Sequence, residues 1–114
     1  MESAEKESQM LTALQTQLFN NLITTNYGEM FDYVSEDCCE PITGLVGWVH
    51  VKDLVKGSIE SVQTAKSVLG SMAAEGYVTI FEEDGQNGFQ FTAKLAAETG
   101  MTQGEARNLW KGKA

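Results

Sequence analysis

Residues 48–78 read WVHVKDLVKGSIESVQTAKSVLGSMAAEGYV, and the order of patterns in this stretch decides the fold. Gly47-Trp48-Val49-His50-Val51 is short, aromatic and β-branched, which suits a strand or an extended lead-in. Lys52 to Lys56 supplies about one helical turn, closed by Gly57. Ser58 or Ser61 can cap a following helix, because a serine oxygen accepts from a first-turn N–H that has no partner within the helix. The apolar spacing predicts that helix from about Val62 to Ala74, stopping at Gly76. Val62, Ala65, Leu69, Met72 and Ala73 are expected to face inward; Gln63, Thr64, Lys66, Ser67, Gly70 and Ser71 are expected to face out.

Working outward, Tyr77 to Phe81 alternates as a strand, residues 82–88 form a turn region, and Phe89-Gln90-Phe91 returns. Asp84-Gly85 and Asn87-Gly88 are hairpin signals, since both pairs tolerate positive φ. Thr92 can cap a helix from Ala93 to about Glu98, and Thr102 with Glu105 has capping-box spacing for a last short helix through Leu109 and Trp110. Residues 96–114 therefore read as a short C-terminal helix and tail. Upstream, residues of about 8–25 form an amphipathic helix. Leu11, Leu14, Leu18 and Leu22 make one stripe, Phe19 and Ile23 widen it, and Gln15, Gln17, Asn20 and Asn21 take the other side. Residues 28–46 are acidic and long for a connector; Met30, Phe31 and Val34 suit a short helical turn, while Pro41 biases Glu40 away from helix. The expected fold is mainly α with a small β-hairpin (α+β), as one domain over residues 1–114.

Charge and composition exclude several classes. The formal net charge is −8: residues 1–45 hold one Lys against six Glu and two Asp, residues 46–96 are nearly balanced at −2, and residues 97–114 carry +1. A field of this sign repels phosphate at long range. No apolar run approaches the ~20 residues of a membrane span, so no membrane partner is expected. Met1 to Glu7 is acidic and polar rather than basic and then apolar, so it does not read as a signal peptide. Cys38 and Cys39 are adjacent, which disfavours a disulfide between them, and two free thiols fit a reducing, cytoplasmic setting. Cys38, Cys39 and His50 lack the spacing of a zinc site, so neither metal nor cofactor is expected. No nucleophile–base constellation or phosphate-cradling Gly loop is present, and the chain does not read as an enzyme. His50 alone reads as structural or solvated, and Trp48 reads as a core anchor.

The string from Trp48 to Val55, then Ser61 to Leu69, then Met72-Ala73-Ala74-Glu75-Gly76-Tyr77-Val78 resembles bacterial transcriptional regulators of the MarR and ArsR type. Asp84-Gly85 to Phe91-Thr92 is similar to their wing and its exit. The resemblance covers roughly residues 48–95. It implies a winged helix-turn-helix over residues 47–95 that binds double-stranded DNA with the 61–74 helix as recognition helix. Carried over residue by residue, the DNA-binding face is Ser61, Gln63, Thr64, Lys66, Ser67 and Ser71, with Lys94 among the compensating cations. Gln can pair bidentately with adenine, and Ser or Thr can reach phosphates or base edges. The chain departs from the pattern at the wing tip, where Glu82-Glu83-Asp84 stands in place of basic residues. The resemblance also implies a homodimer formed in part by the first helix.

Two functional classes follow. One is a DNA-binding regulator. The other is an acidic winged-helix module that docks onto a basic protein partner, of which a phage- or plasmid-type protein imitating the charge of DNA is one version. The discriminating feature is the surface around Gln63, Thr64 and Ser67: a positive rim from Lys52, Lys66, Lys94 and the 107–113 tail favours DNA, and a negative surround favours a protein.

Overall fold

The computed structural model describes residues 11–84 and 86–112. Among these, four α-helices and a small three-stranded antiparallel sheet form an α+β structure in the order α1 (Ala13–Thr25), β1 (Val46–Val49), a 3-10 turn (Val51–Leu54), α2 (Val62–Ala74), β2 (Val78–Glu83), β3 (Gln86–Phe91), α3 (Ala93–Thr99) and α4 (Gln103–Gly112). The sheet order is β1-β3-β2, so the extended lead-in at residues 46–49 is a full third strand rather than an appendage to a two-stranded hairpin.

α1 starts later than its apolar spacing suggests. Thr12 is its N-cap and forms a capping box with Gln15: the Thr12 hydroxyl accepts from Gln15 N at 3.0 Å, and Gln15 Oε1 accepts from Thr12 N at 3.0 Å. Leu11 therefore precedes the helix, and residues 8–10 of the expected helix lie outside the described residues. Leu18 and Leu22, wholly buried, sit at the centre of the core with Phe19 and Ile23, while Leu14 is 40% exposed. The helix ends at Asn26, which organises three neighbours. Its Oδ1 accepts from Gly28 N and Trp48 N, each at 3.0 Å, and its carbonyl accepts from Trp110 Nε1 at 3.1 Å. Gly47 fits beside this amide because a Cβ there would lie 2.6 Å from Met30 Cε and 2.9 Å from Asn26 Oδ1.

The connector at residues 28–46 is held down by hydrogen-bonded turns rather than by a helical turn: Asp32 N donates to Glu29 O and Val34 N to Phe31 O. Met30, Phe31 and Ile42 are buried in the core. Its acidic stretch packs on the start of α4, where Gly104 N donates to Cys38 O at 3.0 Å, Gln103 N to Glu40 O at 2.7 Å, and Asn108 Nδ2 to Glu36 O at 3.0 Å. Gly104 is needed for this approach, because a Cβ would sit 2.7 Å from the carbonyls of Glu36 and Cys38. The expected Thr102–Glu105 capping box is present, and α4 continues to Gly112.

The hairpin is tighter than a seven-residue turn. Glu83 pairs with Gln86, and Asp84, next after β2, takes a positive φ of 54°. Asn87-Gly88 belongs to β3. Gly88 serves the sheet rather than the turn, because the Phe81 ring lies across it in the space a Cβ would fill. The inward set of α2 also differs. Ala65, Val68, Leu69 and Met72 are buried and Ala73 is half-buried, whereas Val62, in the first turn at the edge of that face, is 40% exposed.

Candidate functional site

α2 is capped by Ser61, whose hydroxyl accepts from Thr64 N at 3.0 Å. One side of the helix packs on α1, the 3-10 turn and β2. On the other, Gln63, Lys66, Ser67 and Gly70 are exposed and follow at helical i+3 and i+4 steps, so they form a single stripe. A Cβ added at Gly70 would meet nothing within 4 Å. Gly70 is the stripe member that the outward face of the sequence contains but the carried-over site residues omit; its spacing from Lys66 and Ser67 is the signal for it.

The remaining site residues divide. Ser61 is exposed beside the stripe, and Thr64 is half-buried with its hydroxyl 3.0 Å from that of Ser61. Ser71, expected to face out, is half-buried and turned towards α1: its hydroxyl donates to Val68 O at 2.7 Å and accepts from Gln15 Nε2 at 3.1 Å. Lys94 is exposed but engaged, donating to Glu75 O at 2.7 Å with its ammonium 4.8 Å from the centre of the Tyr77 ring. It thus covers the C-terminal carbonyls of α2, where a cation is favoured by the helix dipole. Burial, and then the carboxylates of Glu98 and Glu75, push the Tyr77 hydroxyl above its usual pKa of 10.0.

Two amides placed by sequence on the solvent side of α1 lie inside the protein. Gln15, 3% exposed, donates to Ser71 Oγ and to Glu75 Oε1. Asn21, 1% exposed, donates to the carbonyls of Leu54 at 2.9 Å and Lys56 at 3.2 Å, and so holds the turn that leads to α2. These contacts give the two buried amides partners inside the protein and add a second bond to the Leu54 and Lys56 carbonyls, which also accept from Lys56 N and Ile59 N.

The surround of the stripe is of mixed sign. Lys66 lies on it and Lys52 is exposed in the preceding turn; Lys56 Nζ is 3.4 Å from Thr24 Oγ1. Glu60 and Glu75 flank the two ends of α2. Arg107 faces Glu36 at 3.9 Å on α4, so that cation belongs to the connector; Lys113 lies outside the described residues. At the hairpin tip Glu82, Glu83 and Asp84 are all exposed.

Trp48 is not a core anchor. Alternation along β1 sends Gly47 and Val49 inward and leaves Trp48 half-buried on the opposite face, edge-on to Phe81 with ring centres 5.3 Å apart. His50 is exposed and stacks on Tyr27 at 4.8 Å. Elsewhere a groove of about 670 Å³ runs between α1 and the end of α3, with Leu11, Phe19, Met101, Thr16, Asn20 and Glu98 in its lining. Cys38 and Cys39 carry free thiols, and no group of three or more His, Cys, Asp or Glu is gathered for a metal among the described residues. No helix among them is long and apolar enough to cross a membrane.

Compared with protein-family models, with curated proteins and with solved structures, the chain matches none.

Proposed function

We propose that this chain is a winged helix that presents α2 to the major groove of double-stranded DNA. The observation that carries this reading is the uncovered stripe Gln63–Lys66–Ser67–Gly70 on a capped helix. The element order supports it: a helix, a strand, a short turn, a second long helix and a hairpin, with the early strand joining the hairpin. In this arrangement the Gln63 amide pairs with an adenine edge, Lys66 neutralises a phosphate, Ser67 donates to a phosphate or base, and Gly70 lets the backbone come close. Lys94 acts indirectly, by fixing the end of α2.

With a net charge of −8 and one cation on the stripe, few phosphates are neutralised, so the binding is weak and its salt dependence shallow. Fluorescence anisotropy on pooled random-sequence duplexes, run as a salt series from low ionic strength, tests this. Binding should weaken linearly in log salt, Lys66→Ala should lower the slope by about 1, and Gln63→Ala should lower affinity by about 1–3 kcal/mol on preferred sites. Absence of binding at the lowest salt overturns the reading.

The same reading includes a homodimer through α1. Leu14 is 40% exposed, and residues 11–28 contain no charged side chain, so two acidic copies meet there without like-charge contact. Sedimentation across a concentration series, with Leu14→Glu as the disrupting variant, checks it.

A second reading, a module that docks onto a basic protein, is favoured by the exposed carboxylates of Glu82, Glu83 and Asp84 at the hairpin tip.

A further inference from the structure

The sheet has one face on the core and one away from it, and the register says what stands on the second. Phe89 and Phe91 of β3 are buried, and so is Val49 of β1. Residues that alternate with them point the other way. Trp48, Gly88 and Phe81 are paired across the three strands and form one row of that outer face; Val46, Gln90 and Thr79 form the row on one side of it. Gln86 and Glu83 form the row on the other side, two positions along each strand of the hairpin. Tyr27 reaches this third row: its hydroxyl donates to Gln86 Oε1 at 2.9 Å, and its ring stacks on His50, just beyond β1. Two aromatic pairs, Trp48–Phe81 with the Phe81 ring lying over Gly88 and Tyr27–His50 tied to Gln86, therefore border this face beside the Glu83 carboxylate, and Tyr27 is 47% and Val46 38% exposed. The buried core lies on the opposite face, and among the described residues Gly28 packs on Trp48 and Gly44 O accepts from Gln90 Nε2 at the border of this one.

Aromatic faces attract cations, and Glu82, Glu83 and Asp84 at the adjoining tip add negative field while opposing phosphate. We propose that the outer face of the sheet is a docking surface for an arginine-containing segment of a basic protein, with a guanidinium lying on the Tyr27–His50 and Trp48–Phe81 rings and reaching the Glu83 carboxylate. Arginine suits it better than lysine, because a planar guanidinium stacks on a ring and presents a fork to a carboxylate. The proposal rests on the second of the two readings above and names its surface; it is independent of α2.

The test uses a capped nonapeptide of alternating Arg and Gly, and the same peptide with citrulline for arginine, followed by two-dimensional NMR and calorimetry on the full chain. The arginine peptide should bind saturably, shift the signals of residues 27, 46–50 and 81–90, and bind about tenfold more tightly than the citrulline peptide. Tyr27→Ala and Glu83→Gln, both at exposed positions, should each weaken it several-fold, while Glu60→Gln, an equal charge change beside α2, should leave it within twofold. If the peptide binds with shifts elsewhere, or if Glu60→Gln weakens it as much as Glu83→Gln, the docking surface is wrong while the acidic-module reading stands. If it does not bind at all, both fall. If a dodecamer of deoxythymidine shifts the sheet signals and the arginine peptide does not, the rings serve single-stranded nucleic acid instead and the proposal is overturned.

Discussion

α1 and α2 are both 13 residues long, both begin behind a hydroxyl cap, and both set an apolar stripe against amides and hydroxyls. Their polar residues meet opposite fates. In α1, Gln15 and Asn21 are buried and bonded to Ser71, Glu75, Leu54 and Lys56. In α2, Gln63, Lys66 and Ser67 face solvent. The difference lies in the neighbours. α1 is flanked by α2, β1, the 3-10 turn and α4, so most of its circumference meets protein, while α2 is covered on one side. A polar helix face is a binding face only where packing leaves it bare.

Substitutions can break this contrast, and the largest effect is expected at Asn21. Asn21→Ala removes three side-chain hydrogen bonds, to Leu54 O, to Lys56 O and from Gln17 Nε2, and should cost about 2–3 kcal/mol in thermal or urea unfolding, although each carbonyl keeps one backbone donor. A neutral result there would mean that α1 and α2 are alike after all. Gln15→Ala removes the donor to Ser71 Oγ and Glu75 and half of the capping box, and about 1–2 kcal/mol should follow in the same measurement. Ser61→Ala sharpens the comparison from the other side. It removes only the cap of α2, so about 1 kcal/mol is expected, with the exposed stripe unchanged.

Tyr77 tests the seam between α2 and α3 by pH. Its pKa is raised in the folded protein, so the neutral form is favoured there; the stabilisation is complete below pH 10.0, the unfolded value, and is lost as pH rises from there through the folded value. Urea midpoints should fall more steeply above pH 10.0 in the parent than in Tyr77→Phe. The smallest effect belongs to the bare stripe. Gln63→Ala and Ser67→Ala should leave stability within about 0.5 kcal/mol, as expected of solvent-facing residues, while lowering DNA affinity in the anisotropy measurement. A stability loss as large as that of Asn21→Ala would show the stripe to be covered.

Caps and turns were legible because they depend on a few adjacent residues. Ser61 and Thr92 cap α2 and α3, and Thr102 with Glu105 boxes α4, as their spacing predicts. Thr12 with Gln15 carried the same signal for α1, but Leu11, in line with Leu14, Leu18 and Leu22, drew the expected start upstream of it. The position of Trp48 followed from which side of β1 the core occupies, and a four-residue strand next to a glycine does not disclose that. The stripe on α2 was legible except for the inward turn of Ser71, which depends on Gln15, 56 residues away in sequence.

By itself, then, the sequence determined the element order, three helix caps, the boundaries of α2 and the acidic field of the chain, all of which rest on local hydrogen bonding, periodicity or charge counting. Only the tertiary structure decided which amides are structural, how the acidic connector is pinned to α4, and which side of the sheet collects the aromatic rings. Each of these depends on a partner distant in sequence, and burial is a property of pairs of surfaces rather than of one residue's chemistry.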